Sequence, residues 1–243
     1  MIYAAIDIGN TFGKMSIYEN GHETEFKRGR TSQLLKDLKK VKPDALIVCS
    51  VTLNSEELLS KFKDFEHTLF LNRDTRIPII NGYASPDTLG YDRLAAAVGA
   101  HFRFPAEDCL IIDMGTALKM DYIDKEGVFK GGYISPGLQM RFKALHTFTK
   151  KLPLLEAEEI PELIGNTTES CIKSGVINGM AAEINGIISR YLAEHDLKIL
   201  ISGGDAGFFE SQINYPTFAA SNLVLEGLYR ILIHNVENKK STL

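Results

Sequence analysis

Apolar residues in this chain recur in two distinct patterns. Continuous runs such as "MIYAAIDI" at 1–8 and "DALIVCSV" at 44–51 predict strands, the second covered on both faces. "KMSIYENG" at 14–21 reads as a second strand after a Gly-Asn-Thr turn, with Asn20-Gly21 turning the chain again. Helical spacing appears instead in "TSQLLKDLKKV" at 31–41, where Thr31 or Ser32 is placed to cap, and in "SEELLSKFKDF" at 55–65. The strand "HTLFL" follows, and the alternation of strand with helix predicts an α/β layer structure. "YDRLAAAVGAHFRF" at 91–104 predicts an alanine-rich helix stopping before Pro105. After it come a strand-turn-strand from Cys109, a strand edge and glycine-proline turn in "GVFKGGYISPG", and two long helices near 170–194 and 221–237 flanking the strand "KILISGG". Gly175, Gly179 and Gly186 in the first long helix, beside Ile177, Met180, Ile184 and Ile188, predict close backbone packing, in a dimer interface or in a buried core helix.

The pattern repeats. "YAAIDIGNTFGKM" at 3–15 and "CLIIDMGTALKM" at 109–120 share an apolar run, an aspartate, a spacer, a glycine and a small polar residue. No low-complexity linker separates the copies. The expectation is two similar α/β halves facing one another, 1–107 and 108–243.

Bulk properties narrow the function classes. At 243 residues and 44% hydrophobic content the chain can bury a sizeable core. A net charge of −4 gives no electrostatic case for nucleic acid or an anionic membrane. The basic stretches "KKVK" at 39–42 and "RFKALHTFTKK" at 141–151 read as solvated helix faces. Cys49, Cys109 and Cys171 form no Cys-x-x-Cys pair, which suits reduced thiols in a cytoplasmic protein. The start of the chain lacks a signal-peptide pattern, and no apolar run is long enough to span a bilayer.

An aspartate closing a strand before a glycine turn is a phosphate device. Glycine lets backbone N–H groups approach an anion, and a threonine hydroxyl adds a donor. Asp7 and Asp113 would repel phosphate unless a cation or water intervenes; Mg²⁺, which keeps its waters and touches few carboxylates, suits one aspartate per turn. The plainer alternative for either copy alone is an aspartate accepting turn hydrogen bonds. Two copies favour phosphate. "LISGGDAG" at 200–207 adds a third glycine turn, against which an adenine or ribose can lie flat. Neither the Walker pattern nor Gly-x-Gly-x-x-Gly is present.

The segments "DIGNTFGK", "GYDR", "DMGTA", "GGYISPG", "TTESCIKSG", "SGGDA" and "NLVLEGL", in order from residue 7 to 228, resemble type III pantothenate kinases. These belong to the acetate and sugar kinase, heat-shock chaperone and actin superfamily. The resemblance implies two ribonuclease-H-like halves packed around a nucleotide cleft, and ATP-dependent phosphorylation of pantothenate in a cytoplasmic homodimer. It implies that Asp7, Ile8, Gly9, Asn10, Thr11, Phe12, Gly13 and Lys14 form the first ATP-phosphate loop, with Asp7 holding Mg²⁺ through water. Thr116 becomes a second ATP contact. Asp92 corresponds to the catalytic base, and Tyr83, Gly90, Tyr91, Asp92, Arg93 and Thr168 to the pantothenate site, with Thr167 a one-residue alternative to Thr168. Asp113 matches the ligand of an activating monovalent cation, K⁺ or NH₄⁺.

Plainer roles stand beside these. Lys14 suits a solvated strand position, Tyr83 suits packing, Asp92 suits charging or capping a helix start, and Arg93 suits a surface ion pair. A kinase of another small alcohol, or a catalytically silent regulatory relative, fits the same fold. One position departs from the family: where it writes a small hydroxyl residue after Gly-Thr-Ala, this chain has Lys119. Lys119 either brings a positive charge to Asp113 or points to solvent or to Asp121 or Asp124.

Overall fold

The structure is a computed structural model and describes residues 1–9, 12–50 and 53–240. In chain order its elements are β1 (Ile2–Ile8), β2 (Gly13–Glu19), β3 (His22–Gly29), α1 (Thr31–Val41), β4 (Ala45–Ser50), α2 (Ser55–Phe62), β5 (Thr68–Phe70), β6 (Ile80–Asn81) and α3 (Tyr91–Arg103). There follow β7 (Asp108–Met114), β8 (Ala117–Ile123), β9 (Val128–Pro136), α4 (Leu138–Phe148), α5 (Thr168–Leu192), β10 (Leu197–Ser202), α6 (Ala206–Phe209), β11 (Phe218–Ala219) and α7 (Leu223–Lys240). The chain divides into two compact units. One comprises Met1–Ala106, Ile123–Lys130 and Asn222–Leu243; the other comprises Glu107–Tyr122 and Gly131–Ser221.

The first unit carries a sheet in the order β3-β2-β1-β4-β5. β1 and β2 are antiparallel with Asp7 opposite Lys14, while β4 runs parallel to β1 and β5 to β4. Asn20 (φ 50°) and Gly21 (φ 89°) make the predicted two-residue turn, since both central positions need positive φ. The core joins Ile6, Met15, Val48, Leu34, Leu38 and Phe62, each at most 2% exposed. Such burial stabilises by about 1.5–3 kcal/mol per large side chain.

Two helix starts differ from and extend the sequence expectation. α1 begins at Thr31 with Arg30 as its cap residue: the Arg30 carbonyl accepts from Gln33 and Leu34 at 2.9 and 3.1 Å, and its side chain, a donor only, makes no cap. Thr31 and Ser32 therefore lie inside the first turn and cap nothing. α2 instead has a full capping box, Asn54 accepting from the Glu57 N–H at 2.9 Å and Glu57 returning to Asn54 at 3.0 Å.

α7 packs on α3 where two glycines meet backbone. A Cβ on Gly227 would lie 1.7 Å from the Ala95 carbonyl oxygen, and one on Gly99 would lie 2.6 Å from that of Leu223. Within the chain, close helix–helix packing falls here, and the α5 glycines make none of it. Cβ atoms on Gly175, Gly179 and Gly186 would meet nothing within 4 Å.

The second sheet runs β6-β9-β8-β7-β10-β11; its five strands from β9 to β11 repeat the order of the first sheet and β6 adds an edge, with β10 parallel to β7 and β11 to β10. Its core packs Leu110, Ile112, Met114, Leu118 and Met120 against Ile177, Met180, Ile184 and Ile188 of α5. The sheet order of each unit is that of a ribonuclease-H-like layer. Cys49 and Cys109 are buried free thiols. Burial, then the charges of Glu107 and Asp108, push the Cys109 thiol up to about 12, which leaves it inert.

The basic stretch at 141–151 is not simply a solvated face. Arg141 turns inward to Glu183 at 2.5 Å, and both side chains are 20% exposed. Tyr133 and Ser135 donate to the same carboxylate at 2.7 and 2.5 Å. No helix among the described residues is long and apolar enough to cross a membrane.

Candidate active site

In the first unit, Asp7 stands at the carboxyl end of β1, opposite Lys14 across the hairpin. Directly opposed residues project to one face of a sheet, so the carboxylate and the half-buried ammonium stem share a side. The turn between them needs glycine at both ends. A Cβ on Gly9 would crowd the Phe12 carbonyl at 3.1 Å, and one on Gly13 would sit 2.9 Å from Leu34 and 3.3 Å from the Asp7 carbonyl. Phe12 is 45% exposed at the turn and carries the Arg28 guanidinium 5.2 Å from its ring centre. Asn10 and Thr11, expected to donate to phosphate, lie outside the described residues.

The "GYDR" segment begins α3. Gly90 is the residue before the helix, and a Cβ there would lie 2.5 Å from Asp92 Oδ1 and displace that carboxylate. Asp92 sits in the first helical turn, where the exposed N–H groups favour its negative charge. It charges the helix start, and the cap residue is Gly90. Arg93 is only 6% exposed, which overturns the surface-pair alternative. Its guanidinium lies 5.4 Å from the ring centre of Tyr83 and 5.9 Å from that of Phe129.

Backbone pairing sets the position of those rings. Ile80–Asn81 pairs in parallel with Val128–Phe129, and the Gly82 N–H donates to the Phe129 carbonyl at 3.0 Å. Tyr83 then leaves the strand with its N–H bonded to Asn81 Oδ1 at 3.1 Å. Tyr83, Gly90, Tyr91, Asp92 and Arg93 are thereby brought together in one unit. Sequence reasoning missed Phe129, whose signal was only an aromatic inside "GVFKGG".

In the second unit three glycine turns converge beside the end of β7. A Cβ on Gly137 would fall 2.2 Å from the Gly115 carbonyl oxygen, and one on Gly203 (φ 96°) would fall 2.3 Å from that of Met114. The Asp205 N–H donates to the same Met114 carbonyl at 3.0 Å, and Ser202 stands opposite Asp113 in the parallel ladder. Burial, and then the charge of Asp113, raise the Asp205 carboxyl above the ordinary range. Thr116 is exposed at the turn, free of the core.

Lys119 settles onto Asp113, with Nζ 2.8 Å from Oδ2 and side chains 19% and 26% exposed. Asp124 takes Lys130 at 2.9 Å instead. Thr167 and Thr168 separate in role: the Thr167 hydroxyl accepts from the Ser170 N–H at 3.1 Å as the cap of α5, while Thr168 is the first, exposed residue of the helix. No group of three or more His, Cys, Asp or Glu able to hold a metal occurs among the described residues.

Strand-end aspartates before glycine turns, on two sheets of one order, define the actin-like class of nucleotide-binding proteins. Solved structures share that fold. A Campylobacter jejuni protein described as a conserved member of the Baf family of transcriptional activators superposes with TM-score 0.64 at 20% identity, covering 96% of this chain and 99% of its own. The activator of the 2-hydroxyisocaproyl-CoA dehydratase from Clostridium difficile, solved with ADPNP, gives 0.57 at 14% identity, covering 99% and 98%.

Residues 3–190 match the family model for type III pantothenate kinase. A type III pantothenate kinase from Cytophaga hutchinsonii is 41% identical over 233 residues, 95% of this chain and 98% of that protein. The chain belongs to the type III pantothenate kinase family.

Proposed function

We propose that this chain transfers the γ-phosphoryl group of ATP to the primary alcohol of pantothenate, forming 4'-phosphopantothenate in the first step of coenzyme A biosynthesis. The observation that carries the chemistry is the adjacency of Asp92 and the ring-flanked Arg93 at the start of α3. Pantothenate offers a carboxylate and a hydroxyl, and these two residues match them. A guanidinium fixed against two rings loses little freedom on pairing bidentately with a carboxylate. Asp92 orients the hydroxyl in line with the γ-phosphorus. As the new P–O bond forms, the bond to the β–γ bridging oxygen breaks, ADP leaves, and the hydroxyl proton passes to Asp92. In a loose transition state that proton leaves late, so orientation matters more than basicity.

On this reading the first-loop backbone from Asp7 to Lys14 cradles the ATP phosphates, with Lys14 and, by resemblance, Asn10 and Thr11 donating. Thr116 provides the second ATP contact, and Thr168 rather than the cap-bound Thr167 reaches pantothenate. Mg²⁺ fits at Asp7, a single strand-end carboxylate that leaves the ion most of its waters; when bound it neutralises charge on the transferring phosphate. A monovalent cation at Asp113 fits poorly, because the Lys119 ammonium already holds that carboxylate.

A homodimer through α5 is supported by its exposed small face, Gly175, Gly179, Ala182 and Gly186, opposite the core face. The adjoining segment, tied to the helix by Ser174 donating to the Leu163 carbonyl at 2.7 Å, exposes Leu163 and Ile164 at 77% and 84%. Free thiols at Cys49, Cys109 and Cys171 suit the reducing cytoplasm.

The test is a coupled assay with ATP and Mg²⁺ against pantothenate, its alcohol analogue lacking the carboxylate, and a panel of other small alcohols. Pantothenate should give the highest kcat/KM, and the analogue should lose mainly through KM. A different preferred acceptor would replace the substrate, and no turnover with any acceptor by folded, ATP-binding protein would leave a silent relative.

A further inference from the structure

We propose that Lys119 is a built-in cation: its ammonium supplies the positive charge at the second glycine turn, so the enzyme works without a bound potassium or ammonium ion. The pleat of β7 and β8 puts the two groups on one face. Ile112, Met114, Leu118 and Met120 are fully buried on the core side, and Asp113 and Lys119 alternate with them toward the other side. There Nζ meets Asp113 Oδ2 at 2.8 Å, and with side chains only 19% and 26% exposed, little solvent intervenes.

The surroundings explain why a cation is needed at that place. The Asp205 backbone is bonded to the Met114 carbonyl at 3.0 Å, which holds a second carboxyl beside the first. The turn between Asp113 and Lys119 exposes Thr116, whose hydroxyl can donate to an anion. A phosphate arriving there meets an uncompensated carboxylate unless a positive charge comes first. A lysine delivers it on a flexible stem, as a point charge with three donors. It engages Asp113 and carries its charge to the turn. A mobile monovalent ion at the same carboxylate would lie against a like charge and lose the oxygen that Nζ occupies. A fixed ammonium also cannot be diluted away.

The inference rests on the nucleotide-dependent kinase reading, and its test separates the two. The wild type and Lys119→Thr are compared in tetramethylammonium buffer and in equal ionic strength of KCl. Three readouts are taken: turnover with pantothenate, affinity for a non-hydrolysable ATP analogue by calorimetry, and direct ion binding by thallium-205 NMR. The last two need no acceptor, so they stand even if pantothenate is the wrong substrate. Wild-type protein should show no thallium site, and its nucleotide affinity should be the same in both buffers. Lys119→Thr should bind the analogue weakly without potassium and regain about tenfold or more with it, the scale of one strong coupling between sites. Lys119→Arg keeps the charge and should stay potassium-independent. A wild type that binds thallium and loses nucleotide affinity without potassium overturns the proposal, as does a folded Lys119→Thr that matches the wild type in both buffers. If Lys119→Thr does not fold, the wild-type thallium and affinity measurements decide alone.

Discussion

The Arg93 guanidinium lies over the Tyr83 ring at 5.4 Å, and Arg93 is 94% withdrawn from solvent by that ring, Phe129 and the body of α3. A cation placed so is oriented before any ligand arrives. Contact with two rings restricts the fork, and the fork is what a carboxylate reads.

Replacing Arg93 with lysine keeps the charge and removes the plane. Arg93→Lys should raise the pantothenate KM about tenfold or more while ATP affinity holds, because bidentate pairing is lost and no phosphate contact changes. Tyr83→Leu should raise the same KM by less. Steady-state kinetics with each substrate varied in turn will tell. An unaltered acceptor KM in both variants would remove Arg93 from the acceptor site.

Asp92→Asn keeps the shape of the side chain and removes only its charge from the first turn of α3. The variant should melt within a few degrees of the wild type, bind ATP normally, and turn over about two to four orders of magnitude more slowly. Unfolding instead of slow turnover would mean that the charge serves the helix more than the reaction.

Much of this was legible in the chain. The two Asp-x-Gly segments sit where the apolar runs end, and each strand closes one residue after its aspartate, before a glycine that lets the backbone turn. What stayed hidden depended on partners distant in sequence. Phe129 joins Arg93 only through the pairing of 80–81 with 128–129, and a two-residue strand leaves no periodic signal. Arg141 looked solvated because its carboxylate, Glu183, lies forty-two positions further on. The glycines of α5 resembled packing sites, yet intrachain contact fell to Gly99 and Gly227, whose partner helices are far apart in sequence. Lys119 could be seen to depart from the family pattern, but only the pleat decided which way it faces.

Glu183 gives a pH signature. Burial pushes its carboxyl up, but hydrogen bonds from Ser135, Tyr133 and Arg141 outweigh that and hold it below the ordinary value of 4.5. A depressed folded-state value means stability fully present above the unfolded value and lost as pH falls through the folded one. Unfolding midpoints in urea should therefore decline as pH drops below 4.5, and Glu183→Gln should flatten part of that decline. At neutral pH the same variant should lose about 1–3 kcal/mol, because Arg141 is left half-buried without its carboxylate. A variant that keeps the full acid slope would show that other carboxylates cause it.

The α3–α7 contact predicts an intolerance of single methyl groups. Gly227→Ala would drive a Cβ to 1.7 Å from the Ala95 carbonyl oxygen, which belongs to rigid helix backbone and cannot swing aside. The helices must separate, opening the core around Leu228 and Ile231, and the loss should be about 1–3 kcal/mol or more. Gly175→Ala is the control. With nothing within 4 Å and a better helix former in place, it should leave the melting temperature equal or slightly higher. Scanning calorimetry on the pair decides whether intimacy at α3–α7, rather than glycine in a helix as such, is the constraint.

The exposed side of α5 makes the last prediction. Gly175, Gly179, Ala182 and Gly186 recur at spacings of four, three and four, one face of the helix, while Ile177, Met180, Ile184 and Ile188 fill the core on the other. Small residues on an exposed face let a second backbone approach closely, and that approach is what a long side chain prevents. Gly179 is exposed and a Cβ there meets nothing within 4 Å outside its own helix backbone, so a side chain can leave toward solvent and Gly179→Arg should keep the fold in dilute solution. Light scattering after size exclusion should show the wild type at twice the chain mass and Gly179→Arg at the chain mass. A variant that remains at twice the mass would move the interface off α5, and a wild type at single mass would dispense with the dimer altogether.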